Sequence, residues 1–300
     1  MGDTNLKHVS HSYVEGPEAT VLNTVDVWLP ESNHDGTDSE GKWVMYNASS
    51  AFQTHRVLKR GSFIHGGAWR DPLVDATSFK PTVDILSASE NGVVGFASIN
   101  YRLSRYPNHA TKPSSPEDPS RNAEHPDHLN DVTRALVFLE NIYGISGRYL
   151  LVGHSCGATL AFQVPETYGS EKVPQPACIV GSEGIYDLPS LLVVHDHIPF
   201  YRHFVVAAFG NVENAWKQAS PYTAEAPAIW AKTKVLIISH SGDDELVEKE
   251  QAIMMLERLS ETNGWHGQAR YIPARGMHDE VCEKGVELAR IIEEGLKSMP

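Results

Sequence analysis

The stretch Tyr149-Leu-Leu-Val-Gly-His-Ser-Cys-Gly-Ala-Thr-Leu-Ala161 passes from an apolar run through Gly-x-Ser-x-Gly into small and apolar residues. It reads as a short buried strand, a tight turn at Ser155 and a helix opening near Cys156, which is the setting a nucleophile elbow requires. A side chain at 153 or 157 would crowd the neighbouring strand and helix, so glycine stands at both positions. The turn lifts the Ser155 hydroxyl clear of the sheet. It also aims the first free N–H groups of the helix at the same spot, where negative charge is favoured. A catalytic Ser155 is the expectation.

Outward from the elbow, apolar runs alternate with helical spacing. Residues 21–29, 57–64, 93–99, 177–181, 234–239 and 269–272 read as strands. Residues 81–90, 129–143, 248–261 and 278–297 read as helices, with apolar side chains at Leu129, Val132, Ala135, Leu136 and Leu139 in the second. This alternation predicts an α/β chain with a mostly parallel central sheet and helices on both faces. Residues 188–230 are helical in pattern but broken by prolines and aromatics, as a small cap or lid between two strands would be. Polar residues 31–42 suit a surface loop, and 107–126 form the longest irregular segment, a length that is usually functional or mobile. No repeat or linker divides the chain, so one domain over 1–300 is expected.

Composition narrows the function. With 25 Lys and Arg against 38 Asp and Glu, the net charge of −13 disfavours nucleic acid and anionic membranes as partners. No apolar run approaches the roughly 20 residues of a membrane-spanning helix. The N-terminus lacks a signal-peptide core, and Leu6 stands where myristoylation wants Ser or Thr. Three widely spaced cysteines (Cys156, Cys178 and Cys282) suit a reducing, cytoplasmic setting, where the Asn47-Ala-Ser49 acceptor motif would be accidental.

In open parallel sheets ligands sit beyond the carboxyl ends of the strands, so the polar residues that follow strands carry the chemistry. Ser155, Asp243-Asp244 and His278 occur in the order serine, acid, histidine expected of an elbow hydrolase. His278 would take the serine proton during attack. One of the two aspartates would fix its tautomer; Asp244 is favoured because Glu-Leu-Val after it can anchor the loop, with Asp243 the alternative. Gly66 and Gly67 in His65-Gly-Gly-Ala-Trp69, with Cys156, would offer backbone donors to an oxyanion. His154 borders the elbow and reads as a packing residue. His125-Pro-Asp-His128 and His195-Asp-His197 lack a second pair at zinc spacing, so no metal is expected. No Gly-x-Gly-x-x-Gly follows a strand, so no nucleotide cofactor is expected either. Phe200, Tyr201, Phe204 and Phe209 read first as the buried face of a helix and second as a pocket lining.

Taken together, His65-Gly-Gly-Ala-Trp69, Asn100-Tyr-Arg-Leu103, Gly153-His-Ser-Cys-Gly157, Asp244-Glu-Leu-Val247 and Gly276-Met-His278 resemble the α/β-hydrolase superfamily. Its esterase and hormone-sensitive-lipase branch is similar in the His-Gly-Gly motif. Within it the chain looks most like the fungal kynurenine formamidases (arylformamidases), which carry His-Gly-Gly-x-Trp. The resemblance runs from about residue 25 to the C-terminus. It implies the α/β-hydrolase fold and hydrolysis of N-formyl-L-kynurenine to L-kynurenine and formate, in tryptophan breakdown towards NAD. In that chemistry a bulky Trp69 beside the oxyanion donors would exclude larger acyl groups. The rivals are a general short-chain carboxylesterase with the same machinery and a non-catalytic small-molecule receptor on the same fold. The oligomeric state, a homodimer included, is left open.

Overall fold

The computed structural model describes residues 6–30, 59–89, 93–225, 228–262 and 265–299; the stretch 31–42 and the Asn47 motif lie outside them. Two antiparallel strands, β1 (Leu6–Ser12) and β2 (Thr24–Pro30), lead into β3 (Lys59–Ile64), β4 (Val93–Ile99) and β5 (Tyr149–His154). A two-residue hairpin, β6 (Thr167–Tyr168) and β7 (Glu171–Lys172), stands apart, and β8 (Cys178–Ser182), β9 (Val235–Ser241) and β10 (Gln268–Ala274) complete the main sheet. Its order is β1-β2-β4-β3-β5-β8-β9-β10, with the six strands from β4 to β10 parallel. Strands covered on both faces must be apolar on both, and β5 and β9 are buried at every position.

One face packs beneath α1 (Lys80–Ser87), with Phe63, Phe79, Val83, Leu150, Ile237 and Ile291 in its core. The other carries α2 (Asp127–Tyr143) and α3 (Cys156–Gln163) over Leu136, Leu151, Leu160, Ile179 and Ile238. Between β8 and β9 run α4 (Leu188–Val194), α5 (Pro199–Phe209), α6 (Glu213–Ala219) and α7 (Ala228–Lys232). Then α8 (Lys249–Glu261) joins the second face, and α9 (His278–Glu283) precedes α10 (Val286–Ser298), which lies beside α1 on the first. Among the described residues no helix is long and apolar enough to cross a membrane.

The chain goes from β3 to β4 on one side and later returns to β5 on the other. Where the order reverses, a crevice opens at the strands' carboxyl ends. His65 follows β3 and Ser155 follows β5, one on each lip.

Two expectations change in detail. The single closing helix is two, because Gly285 sits at φ 70 between them. A Cβ there would come within 2.6 Å of the Pro81 and Thr82 backbone, so the break lets the chain pass α1. The edge strand β1 was not expected, since Leu-Lys-His-Val-Ser-His-Ser is too polar to announce itself as one.

Candidate active site

The elbow is built by contact between backbones. A Cβ at 153 would lie 2.2 Å from the Gly157 carbonyl oxygen, and one at 157 would lie 2.2 Å from that of Ile64 and 2.6 Å from that of His65. Only hydrogen fits at either place. Between them Ser155 adopts φ 54, ψ −125, a left-handed conformation that costs a serine about 1–3 kcal/mol. The Ser155 N–H donates to the Ser182 carbonyl at 2.9 Å and helps to hold the turn. Ser155 is 7% exposed. Its hydroxyl has no hydrogen-bond partner among the described residues, the imidazole of His278 included. In unliganded sites such bonds are often long and tighten when substrate binds.

His278 opens α9 and is 3% exposed. Its Nδ1 meets Asp244 Oδ2 at 2.8 Å. The other Asp244 oxygen accepts the N–H groups of Leu246 at 2.8 Å and Val247 at 2.9 Å, so the Glu-Leu-Val that follows does anchor the loop. Asp243, the alternative acid, is exposed, and among the described residues only its N–H is engaged, by Ser241 Oγ at 3.1 Å. Burial alone would raise the Asp244 carboxyl. The hydrogen bond and charge of His278, with Glu183 and the Val247 N–H, outweigh that and hold it below the usual carboxylate range.

Three supporting residues were not singled out from the sequence as part of the site. Glu245 Oε2 accepts the His278 N–H at 3.0 Å. His154, read as packing, does more: its Nε2 lies 3.1 Å from the His278 carbonyl and its ring 4.9 Å from the His278 ring. Burial, reinforced by His278, pulls His154 down to about 3, so it stays neutral and can donate from Nε2. Glu183, at φ 51 just after β8, is fully buried, and its Oε2 accepts the Ser241 N–H at 3.0 Å. Burial pushes its carboxyl well up, and the nearby Asp244 acts in the same sense.

Across the crevice, a Cβ at Gly66 would stand 3.0 Å from Ser155 Cβ, so that backbone passes directly beside the nucleophile candidate. No acceptor among the described residues takes the Gly66 or Gly67 N–H. Cys156 is the first residue of α3, and its N–H has no intrahelical partner. The Asn100-Tyr-Arg-Leu segment holds this loop. Tyr101 stacks on His65 at 4.3 Å and donates to the His65 carbonyl at 3.0 Å, while Arg102 pairs with the fully buried Asp131 of α2 through Nε at 2.8 Å and Nη2 at 2.9 Å. Trp69 is completely buried, edge-on to Phe209 at 4.9 Å and tilted against Phe204 at 6.0 Å, with its backbone N–H donating to Cys156 Sγ at 3.2 Å. Tyr201, Phe204 and Phe209 are the buried face of α5, whereas Phe200 is exposed.

The His-rich pairs turn elsewhere: His128 Nε2 meets Ser104 Oγ at 2.9 Å and His195 Nε2 meets Glu248 at 3.1 Å. Among the described residues one trio, Glu183, His240 and Asp244, places potential metal-ligand atoms within 4.8 Å of one another. Each member has one atom engaged, Asp244 with His278, Glu183 with Ser241 and His240 Nε2 with the Val247 carbonyl at 3.0 Å. Glu183 Oε1 and His240 Nδ1 are buried without a hydrogen-bond partner among the described residues, directly behind the candidate acid.

No family model matches the chain. Individual relatives do. The kynurenine formamidase-like hydrolase fscH of Fusarium equiseti is 34% identical over 304 residues, covering 98% of this chain and 96% of that protein. The chain belongs to the kynurenine formamidase family. Other relatives in the family include kynurenine formamidase avaC of Aspergillus versicolor, 34% identical with 81% of this chain and 94% of that one covered, and the kynurenine formamidase of Meyerozyma guilliermondii, 33% identical with 81% and 89% covered. The fold is that of the α/β-hydrolases. Esterase B of Lactobacillus rhamnosis superposes with a TM-score of 0.67 at 12% identity, over 99% of this chain and 88% of that one. Carboxyl esterase 2 of Tuber melanosporum gives 0.66 at 17% identity, over 99% and 89%.

Proposed function

We propose that this member of the kynurenine formamidase family is a serine hydrolase that cleaves N-formyl-L-kynurenine to L-kynurenine and formate. The observation that carries the reading is the buried Asp244–His278 pair, 2.8 Å apart, beside an elbow serine. Ser155 attacks the formyl carbon while His278, through Nε2, takes its proton. Asp244 holds Nδ1–H and favours the imidazolium as it forms. The tetrahedral oxyanion is met by the N–H groups of Gly66, Gly67 and Cys156, each worth about 3 kcal/mol of barrier. His278 then protonates the departing aryl amine. Water, activated by the same imidazole, attacks the formyl-serine and releases formate.

In this reading the chain is one domain with α4–α7 as its cap. Trp69, clamped by Phe204 and Phe209 of α5, is the rigid wall that limits the acyl group to formyl. The enzyme works in the cytoplasm, where the buried free thiols of Cys156, Cys178 and Cys282 stay reduced.

A substrate panel on the purified protein tests the reading. N-formyl-L-kynurenine should be turned over far better than 4-nitrophenyl acetate or butyrate, and Ser155→Ala should lose on the order of 10⁴–10⁶ in kcat. A preference for butyrate would make the protein a carboxylesterase. Failure to turn over any ester or formamide, with no fluorophosphonate labelling of Ser155, would make it a receptor.

A further inference from the structure

Arg70 follows the oxyanion loop by three residues and stands out among the chain's cations. Its residue is only 5% exposed, its Nε is sealed from solvent without a hydrogen-bond partner, and no carboxylate pairs with it among the described residues. A buried guanidinium is ordinarily paired, as Arg102 is with Asp131. The neighbouring Asp71 does not fill the role: its Oδ1 accepts the Leu73 N–H at 2.9 Å and faces His109 Nε2 at 3.7 Å. What surrounds Arg70 is aromatic. Its guanidinium carbon lies 4.0 Å from the centre of the Tyr106 ring and 4.7 Å from that of Phe200 on α5. Rings hold a guanidinium by its charge and leave its N–H edges unspent.

Arg70 is also tied to the loop that passes beside Ser155. The Arg70 N–H donates to the Gly67 carbonyl at 3.0 Å, and the Asp71 carboxylate next to it acts electrostatically on Asp279, the residue after His278. Phe200 meets Phe204 at 5.7 Å, and Phe204 meets Trp69. The position therefore lies between the oxyanion loop and the α5 aromatics.

We infer that Arg70 is the subsite for the carboxylate of an amino-acid substrate, its free N–H edge donating to the two oxygens while Tyr106 and Phe200 fix its orientation. A planar fork matches a planar carboxylate with two parallel bonds, which a lysine cannot reproduce. This deepens the formamidase reading and rests on it: of the substrate's two ends, Ser155 takes the formyl group and Arg70 the amino-acid arm. Selection for that arm separates this site from a simple esterase pocket.

The experiment compares N-formyl-L-kynurenine with N-formylkynuramine, the same molecule without the carboxylate, in wild type, Arg70→Met and Arg70→Lys. Wild type should favour the carboxylate-bearing substrate in kcat/KM by about 10- to 100-fold, the range of a hydrogen-bonded charge. Arg70→Met should erase that ratio through KM, and Arg70→Lys should retain only part of it. Melting and the rate of fluorophosphonate labelling report whether each variant is folded with its serine machinery intact. A ratio near one in wild type, or one that survives Arg70→Met, overturns the inference. If wild type hydrolyses neither formamide, the formamidase reading fails by itself. Arg70 is then tested by inhibition of nitrophenyl acetate hydrolysis, where L-kynurenine should outcompete kynuramine in wild type and lose that advantage in Arg70→Met. Equal inhibition in wild type overturns the subsite as well.

Discussion

Gly157→Ala tests the elbow with a single carbon. The added Cβ would sit 2.2 Å from the Ile64 carbonyl oxygen and 2.6 Å from that of His65, and both contacts are backbone. To reach ordinary van der Waals separation the end of β3 must retreat from α3 by about 1 Å. Overpacking of this kind costs about 1–3 kcal/mol, while alanine recovers up to about 1 kcal/mol of helix propensity. The net loss is therefore about 0–3 kcal/mol, a fall in Tm of at most about 12 °C for a domain of this order. Activity should suffer much more. The residues displaced lead directly into Gly66 and Gly67, and a misplacement of about 1 Å at a reacting centre costs about 100-fold. Parallel measurements of kcat/KM and thermal melting separate the two effects. Gly61→Ala on the same strand is the control, since its Cβ would make only an ordinary 3.6 Å contact with Phe96. A folded Gly157→Ala that keeps more than about a tenth of wild-type kcat/KM would refute the claim that elbow and oxyanion loop are set by this contact.

Asp244→Asn should lower kcat by about 10⁴, because an amide no longer enforces the productive His278 tautomer, whereas exposed Asp243→Asn should stay within about twofold. Steady-state kinetics with N-formyl-L-kynurenine decide between them. Trp69→Phe should let acetyl and propionyl anilides compete with the formyl substrate, and an unchanged acyl preference would remove Trp69 from specificity. Burial lowers His65 to about 4 and His128 and His154 to about 3, so the folded chain keeps all three neutral. The unfolded chain protonates them first, near 6.5; their contribution to stability is complete above that pH and is lost as pH falls towards the folded values. Each adds a slope of about 1.4 kcal/mol per pH unit, and the raised Glu183 carboxyl, which keeps its proton in the folded chain over the same range, offsets about one such share. Urea midpoints measured from pH 7 to pH 5 should still fall, and less steeply in His128→Gln.

What the sequence made legible was whatever rests on neighbours along the chain. The Gly-x-Ser-x-Gly turn carries its own steric reason, and β4 follows its apolar run at both ends. Asp244 could be preferred over Asp243 because its anchor, Glu-Leu-Val, is adjacent. Features that depend on distant partners stayed hidden. Gly285 breaks the closing helix for the sake of α1, some 200 residues away. His154 looked like filler because its partner, the carbonyl of 278, is 124 residues on. Glu183 offered no motif at all, since its place behind Asp244 comes from the pairing of β8 with β9. Arg70 was passed over because a lone arginine after a motif looks like surface until its burial is known.

The bond between His154 Nε2 and the backbone of His278 has a further consequence. His154 and Ser155 are consecutive, so the candidate nucleophile and the candidate base share one mooring even though they are 123 residues apart. Their spacing is therefore set by a bond between two buried residues rather than by the conformation of the surrounding loops.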